Sequence, residues 1–332
     1  MNTYQDVFIS QLAHHVPSRV VTNDELIAAE GLKMKASWIE RNLGIRERRW
    51  CAPEEAASDI AVASCRKLQL DGFDGPLFLS TISPDYFTPS TSAIVKRKLN
   101  LTGKAPAYDL SAACAGWIFA LEAAAIRLDA GRDEEALALA AEVRSKYVNP
   151  RDRRTAFLFG DGAVAAHLTR CRPTGGYFQL AWTHLSTIPV EDIEIFVPGG
   201  GSVAPFRATS LAGDEQFIRM VDGNAIREAT QTRLLEEIAG VLKEEVDLKS
   251  HDLVLFHQGN KTLILNILRL MGADESKTFT TFEDFGNSSS ASVGVTLSAA
   301  LQSGRIKNGS RILLVTFGAG QHMGMAELRY QA

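Results

Sequence analysis

The sequence predicts an α/β protein assembled from two similar halves, each a largely parallel sheet covered by helices. Three observations carry this reading. Strand-like and helix-like segments alternate along all 332 residues. The length exceeds what one small core organises, since domains run to about 150 residues. The halves also echo one another: residues 159–168 (FGDGAVAAHL) resemble 317–328 (FGAGQHMGMAEL). Asp109–Gly131 and Asp284–Gly304 each run from an aspartate through small residues into an Ala-rich helix. The Gly- and Pro-rich stretch Arg172–Gly201 (RPTGG, VPGGG) is the expected seam, dividing residues 1–172 from 173–332.

The elements follow in order. Val7–Leu12, Leu77–Ile82, Leu137–Ala141 and Ala163–Leu168 are short apolar runs that read as buried strands. Ala56–Leu70, Thr91–Leu99 and Cys114–Ala130 carry helical spacing. In the second half, Ile226–Lys243 is an amphipathic helix, Asp252–His257 a buried strand, Lys261–Met271 a helix and Arg311–Phe317 a strand.

Composition excludes several classes. Apolar residues make up 45% and charged residues 22%, and 35 Lys+Arg against 39 Asp+Glu leave a formal net charge of −4. A disordered chain, a collagen-like fibre and a basic nucleic-acid coat are ruled out, and no nucleic-acid partner is expected. The longest uncharged stretch, Phe285–Gly304, is rich in Ser, Asn and Gly, so no membrane span is expected. The opening MNTYQDVFIS lacks a basic start and an apolar run, so no secretion signal is readable. Cys51, Cys65, Cys114 and Cys171 form no CxxC pair and no metal-ligand spacing, which reads as reduced thiols in a cytoplasmic protein without a metal.

Three segments carry candidate chemistry. In Asp109–Trp117 (DLSAACAGW), Cys114 falls in the first turn of a helix whose free N–H groups and positive end favour thiolate. Leu253–Asn260 (LVLFHQGN) ends a buried strand on His257, at the sheet edge where parallel α/β proteins keep their sites. Phe285–Ser292 (FGNSSSAS) is a Gly-Asn turn opening a helix, with Asn287 its polar residue. Alone, each has an ordinary structural explanation: a small buried thiol, a core histidine, an N-cap. Together, a sulfur, an imidazole and a carboxamide suit acyl transfer through a thioester. His257 Nε2–H and the Asn287 amide are then donors for the carbonyl of a second thioester as it becomes an enolate.

At these residues the sequence resembles the β-ketoacyl-ACP synthase III family of the thiolase superfamily. Trp38–Arg48 (WIERNLGIRER) is similar to its WIxxRTGIxxR segment, and Asp109–Gly116 to its D-x-A-A-A-C-A-G box. Asn149–Arg153, Phe159–Gly162 and Gly223-Asn224 fall where the family has similar residues. His257–Asn260 resembles HQAN and Phe285–Ser289 resembles FGNTS. The resemblance implies a thiolase fold, five-layered αβαβα, and a homodimer whose partner helps wall the acyl pocket. It implies no permanently bound cofactor, with acyl-CoA and acyl-carrier-protein thioesters as substrates and acyl carrier protein as a partner. Cys114 then takes an acyl group, and a malonyl-type thioester loses carbon dioxide and attacks it, in fatty acid or polyketide synthesis. Backbone N–H groups of Cys114 and Ala319 form the oxyanion hole, Phe317 lies against the malonyl carboxylate, and Trp117 and Phe87 shape the acyl pocket. Trp38 stacks on adenine, Arg153 reaches phosphates, and Gly223, Asn224 and Asn260 line the pantetheine path.

Departures from the family pattern point to a specialised relative rather than the fatty-acid initiator. Asn42 replaces an arginine, Thr262 replaces another beside Lys261, and Arg227 stands at a usually apolar position. His322 and Met323 replace Thr-Trp, and Trp117 is bulkier than the usual Phe. Arg46–Arg49 and Arg151–Arg154 are a candidate basic rim for phosphates or an acidic carrier. Two alternatives remain open from the sequence: an acyltransferase that passes the Cys114-bound group to an alcohol or amine, and a non-catalytic partner subunit.

Overall fold

The structure of the protein is a computed structural model. It describes residues 1–189, 195–207, 213–242 and 248–332, and the side chains of Asn224, Ala225 and Lys249 also lie outside the described set. The strands that position the site are β1 (Phe8–His15), β2 (Leu77–Ser80), β3 (Ala107–Leu110), β4 (Glu135–Glu142), β5 (Gly162–Thr169), β6 (Tyr177–Thr187), β7 (Leu253–Phe256), β8 (Arg311–Gly318) and β9 (His322–Gln331). The helices are α1 (Ala36–Leu43), α2 (Ala57–Cys65), α3 (Thr91–Lys98), α4 (Gly116–Asp129), α5 (Gly223–Leu242), α6 (Lys261–Leu270) and α7 (Ser292–Gln302).

The strands join in one ten-stranded sheet ordered β7-β8-β9-β6-β1-β5-β4-β2-β3, with the edge strand Asn2–Thr3 on β6. The expectation of a largely parallel sheet is corrected. Only β7–β8, β2–β3 and β2–β4 pair in parallel, and the other pairings are antiparallel. The reason lies in the connections. Residues 319–321 are too few for a crossover, so β8 and β9 close as a hairpin, whereas the parallel pairs have helices between them. The two arms nevertheless match: β4 against β5 and β1 in one, β8 against β9 and β6 in the other, meeting where Phe8 faces Gln179.

Side-chain alternation builds the layers. On β4, Ala136, Ala138 and Ala140 face a core shared with α4, while Leu137, Leu139 and Ala141 face a second core with α2. On β8, Ile312 and Leu314 face the first core, and Leu313 and Val315 face a third with α5 and α6. Helices α4 and α7 thus lie between the two arms, α2 and α3 cover one outer face, and α5 and α6 the other. This is the five-layered αβαβα sandwich. Composition explains the placement. The α4 sequence GWIFALEAAAIRLD is apolar on nearly every side, as a helix with a sheet on both faces must be. In α6, Leu263, Ile264, Ile267 and Leu268 are buried while Arg269 and Leu270 at its end are exposed, as in a one-sided outer helix.

Two boundaries differ from expectation. The helix read over Ala56–Leu70 stops at Cys65, because Leu68 is buried by a following turn rather than by a continued helix. Helix α5 begins at Gly223, a turn early, and Lys243 lies outside the described residues, as does part of the seam, 190–194.

Candidate active site

Cys114 sits in a 3-10 turn, Ala113–Ala115, that runs directly into α4. Ala113 holds φ +44°, the left-handed kink that lifts the thiol off the end of β3. Ahead of the turn, the Asp109 carboxylate accepts the N–H groups of Thr91 and Ser92 at 2.7 Å each and so caps α3. Gly318 packs against the same turn. A Cβ there would lie 2.6 Å from Cys114 N, so only glycine leaves that N–H open. Ala319 follows immediately, with its own backbone half-buried at the end of β8.

The expectation that the helix end favours thiolate is corrected. Burial pushes the Cys114 thiol up to about 11, outweighing the Ser289 hydroxyl that stabilises the anion. Glu142 pushes it further up and Arg144 acts in the opposite sense. The resting sulfur is therefore a protonated thiol, 3.5 Å from Ser289 Oγ.

His257 ends β7, its backbone N–H held by the Val315 carbonyl at 2.8 Å, and it is almost completely buried. Burial lowers its pKa to about 3, so the imidazole is neutral. Its Nδ1 lies 2.6 Å from Ser292 Oγ, and that oxygen already accepts the Gln258 N–H at 3.2 Å. With the Ser292 hydroxyl proton donated to Nδ1, the imidazole carries its own proton on Nε2, the tautomer used below. Gly259 leaves that atom uncovered, since a Cβ there would lie 2.8 Å from Nε2. The Phe317 ring meets the imidazole edge-to-face, centroids 5.1 Å apart.

Asn287 is pinned on three sides. Its N–H donates to the Leu158 carbonyl at 2.9 Å, its carbonyl accepts from Gly160 N–H at 3.1 Å, and its Oδ1 accepts the Ser289 N–H at 2.8 Å. That leaves Nδ2 as a donor. One short segment, 287–292, thus reaches all three candidates: Asn287 belongs to it, Ser289 touches the thiol and Ser292 orients the imidazole. The arrangement offers a nucleophile beside open backbone N–H groups and two neutral N–H donors facing away from their anchors.

The remaining expectations fare unevenly. Trp117 is corrected: it is fully buried between α4 and α7, its Nε1–H on the Ala138 carbonyl at 3.3 Å, and belongs to the core. Phe87 is 80% exposed on its own chain, so it is not enclosed by the described residues. Arg48 is corrected too. It is completely buried and donates to Val21 O, Asn23 Oδ1 and Phe157 O, holding loops rather than forming a rim. Arg46 and Arg154 are exposed but paired with Asp284 and Asp152. Arg153 is exposed at the surface, and Trp38 is 50% exposed on α1. A Cβ on Gly44, at the end of α1, would lie 3.1 Å from the Lys261 Cβ, so α1 abuts the start of α6. Asn260 caps α6, accepting the Leu263 N–H at 3.0 Å, and Lys261 pairs with Glu283 at 2.7 Å. Gly223 begins α5 in an exposed position, and the side chain of Asn224 is one of those outside the described set.

Sequence reasoning missed Ser289, Ser292, Glu142 and Arg144. The signal for Glu142 was present, as a carboxylate ending the apolar run ALALAA. It is completely buried, accepts Ser83 Oγ and Ser290 Oγ at 2.7 and 2.6 Å, and is held above the usual carboxylate range by burial. A cleft of about 260 Å³ lined by Met1, Tyr4, Trp182, Arg311 and Glu327 lies apart from this chemistry, its Glu327 already ion-paired. Among the described residues there is no cluster of three or more metal-ligating side chains, and no helix is long and apolar enough to cross a membrane.

A five-layered sandwich with a cysteine turn opening its central helix is the architecture of the thiolase-fold condensing enzymes. Comparison with known proteins narrows the class. Residues 108–185 match the family model of 3-oxoacyl-[acyl-carrier-protein] synthase III, and 242–330 match the model of its C-terminal part. The chain is 32% identical over 329 residues to a β-ketoacyl-[acyl-carrier-protein] synthase III of Symbiobacterium thermophilum, covering 98% of each. It is 34% identical over 323 residues to the acetoacetyl CoA synthase NphT7 of Streptomyces sp. strain CL190, covering 95% of this chain and 96% of the relative. The crystal structure of β-ketoacyl-[acyl carrier protein] synthase III from Thermus thermophilus superposes with a TM-score of 0.82 at 30% identity, covering 96% and 97%. The chain belongs to the 3-oxoacyl-[acyl-carrier-protein] synthase III family, and is an enzyme of that condensing, transferase class.

Proposed function

We propose that the protein joins a Cys114-bound acyl group to a malonyl-type thioester by decarboxylative Claisen condensation, as a specialised relative of the fatty-acid initiator. The observation that carries this is the pair of neutral N–H donors, His257 Nε2 and Asn287 Nδ2, tied to the cysteine turn through residues 287–292.

In the first step the Cys114 sulfur attacks an acyl thioester carbonyl. The oxyanion is held by the N–H groups of Cys114 and Ala319, the carbon–sulfur bond of the donor breaks, and coenzyme A leaves as its thiol with the Cys114 proton. The malonyl thioester then places its carbonyl on His257 and Asn287. Loss of carbon dioxide leaves its electron pair as an enolate held by those two donors. The apolar Phe317 face disfavours the carboxylate charge and so favours its departure. The enolate carbon attacks the acyl-cysteine, and the sulfur leaves and is reprotonated.

Trp38 and Arg153, both exposed, are the adenine and phosphate contacts of an acyl-CoA in this reading, with Gly223, Asn224 and Asn260 along the pantetheine. Acyl carrier protein is the second substrate carrier. The working unit is a homodimer to which Tyr86 and Phe87, 65% and 80% exposed, are presented. Transfer to an alcohol or amine is disfavoured, because it needs a base and the buried His257 is a poor one. The test is to charge the enzyme with acyl-CoAs, add malonyl thioester, and measure carbon dioxide against β-ketoacyl product. One carbon dioxide per product is expected; an ester or amide formed without carbon dioxide contradicts the reading. Acetyl-CoA with malonyl-carrier protein turned over at a fatty-acid initiator's rate would remove the specialised assignment.

A further inference from the structure

Arg144 is 5% exposed, two residues beyond the end of β4. Its guanidinium lies over the rings of Tyr147 and Phe159, 5.5 and 5.6 Å from their centroids. Nη1 donates to the Ile82 carbonyl at a long 3.3 Å, and the buried Nε has no partner. Among the described residues it forms no ion pair. Glu142, the nearest carboxylate in sequence, is already satisfied by Ser83 Oγ, Ser290 Oγ and the Ile82 N–H. Glu142 still acts on it through space, since the Arg144 charge favours the Glu142 carboxylate, but forms no direct contact with it. A buried guanidinium with an empty donor is costly unless a ligand fills it.

Its neighbours place it at the site. Phe159, under the guanidinium, is flanked by Leu158 and Gly160, whose backbones hold Asn287. Glu142 holds Ser290, next to the Ser289 hydroxyl that touches Cys114. Arg144 therefore lies along the wall between the cysteine turn and the Asn287 shelf. Its charge is also among those acting on the thiol. An aromatic-backed guanidinium with a free Nε–H matches a carboxylate.

We propose that Arg144 receives the terminal carboxylate of the acyl primer, so that the substrate loaded on Cys114 is the monothioester of a dicarboxylic acid. This rests on the condensing reading above and names its first substrate. The carboxylate of the malonyl extender is the other source of the same chemistry, and the two are separated by following the acylation step alone.

Intact-protein mass spectrometry measures the rate of Cys114 acylation without extender, using shape-matched pairs: succinyl-CoA against 4-methylpentanoyl-CoA, and glutaryl-CoA against 5-methylhexanoyl-CoA. In each transfer the acyl group passes to sulfur and coenzyme A leaves as its thiol. The carboxylate member is expected to load about ten- to a hundredfold faster at low concentration. Arg144→Leu is expected to reverse the preference, and Arg144→Lys to retain part of it, which separates lost charge from lost packing. Equal or faster loading of the neutral members by the unaltered enzyme overturns the proposal while leaving condensation intact. So does a carboxylate that matters only when the extender is added, or an Arg144→Leu protein that folds and keeps the preference. Failure of every acyl-CoA to load Cys114 overturns the condensing reading itself.

Discussion

The two halves of the molecule use one backbone device for opposite purposes. In the first half a 3-10 turn, Ala113–Ala115, with φ +44° at Ala113 opens α4 and presents a thiol. In the second a 3-10 turn, Ser289–Ala291, with φ +51° at Ser289 opens α7. Such left-handed conformations cost about 1–3 kcal/mol in a residue with a side chain, and both are retained. The side chains differ. The cysteine turn is flanked by alanines and glycine, which leave the Cys114 N–H uncovered for an oxyanion. The second turn is a run of hydroxyls, each committed: Ser289 to the thiol, Ser290 to Glu142 and Ser292 to His257. The same turn geometry mounts a nucleophile in one half and holds a rack of fixed hydroxyls in the other.

Substitutions that remove either half's contribution test the contrast most severely. Cys114→Ala and His257→Ala are each expected to lower overall condensation by about a thousandfold or more in a steady-state assay. A fall below tenfold for either removes that half's role. Next comes Gly318→Ala, whose methyl group crowds the Cys114 N–H. Acylation should slow by about a hundred- to a thousandfold, and decarboxylation of malonyl thioester should not. Equal losses in both steps would mean that the turn as a whole has moved.

Smaller effects sharpen the comparison. Ser292→Ala frees Nδ1 of His257 and releases the proton from its assigned nitrogen. Decarboxylation is expected to drop about ten- to a hundredfold, with acylation of Cys114 spared. The resting state of the thiol is tested by its pH dependence. With its pKa pushed up to about 11, alkylation by iodoacetamide should rise about tenfold per pH unit from roughly pH 6 to 9, as the thiolate fraction grows. A plateau near neutrality would show a thiolate at rest. Glu142→Gln removes a carboxylate that opposes the anion, so alkylation at fixed pH should rise about two- to threefold.

Much of this contrast was legible in the sequence. Periodicity marks faces, so β4, β8 and the largely apolar α4 could be read directly, and the echo between 109–131 and 284–304 coincides with the two turn-helix units. His257 stood out because it ends an apolar strand, and Cys114 and Asn287 because each opens a helix from a turn of small residues. What escaped depends on what covers a residue, which periodicity does not report. Trp117 looked like a pocket wall, but α7 closes over it. Arg48 looked like surface charge, but three oxygens from separate loops enclose it. The helix end at Cys114 suggested a thiolate, and desolvation by the surrounding layers reverses the sign. Ser292 was silent because its partner His257 lies 35 residues away, and Glu142, though marked by the apolar run before it, gave no hint of a partner 148 residues away.

The division of labour between the halves is tested most directly by following the two half-reactions in two variants. Cys114→Ala is expected to release carbon dioxide from a malonyl thioester while gaining no acyl mass. Asn287→Ala is expected to gain the acyl mass on Cys114 while releasing no carbon dioxide. If each variant loses both half-reactions while keeping its fold, nucleophile and donors are not separable, and the halves do not divide the chemistry between them.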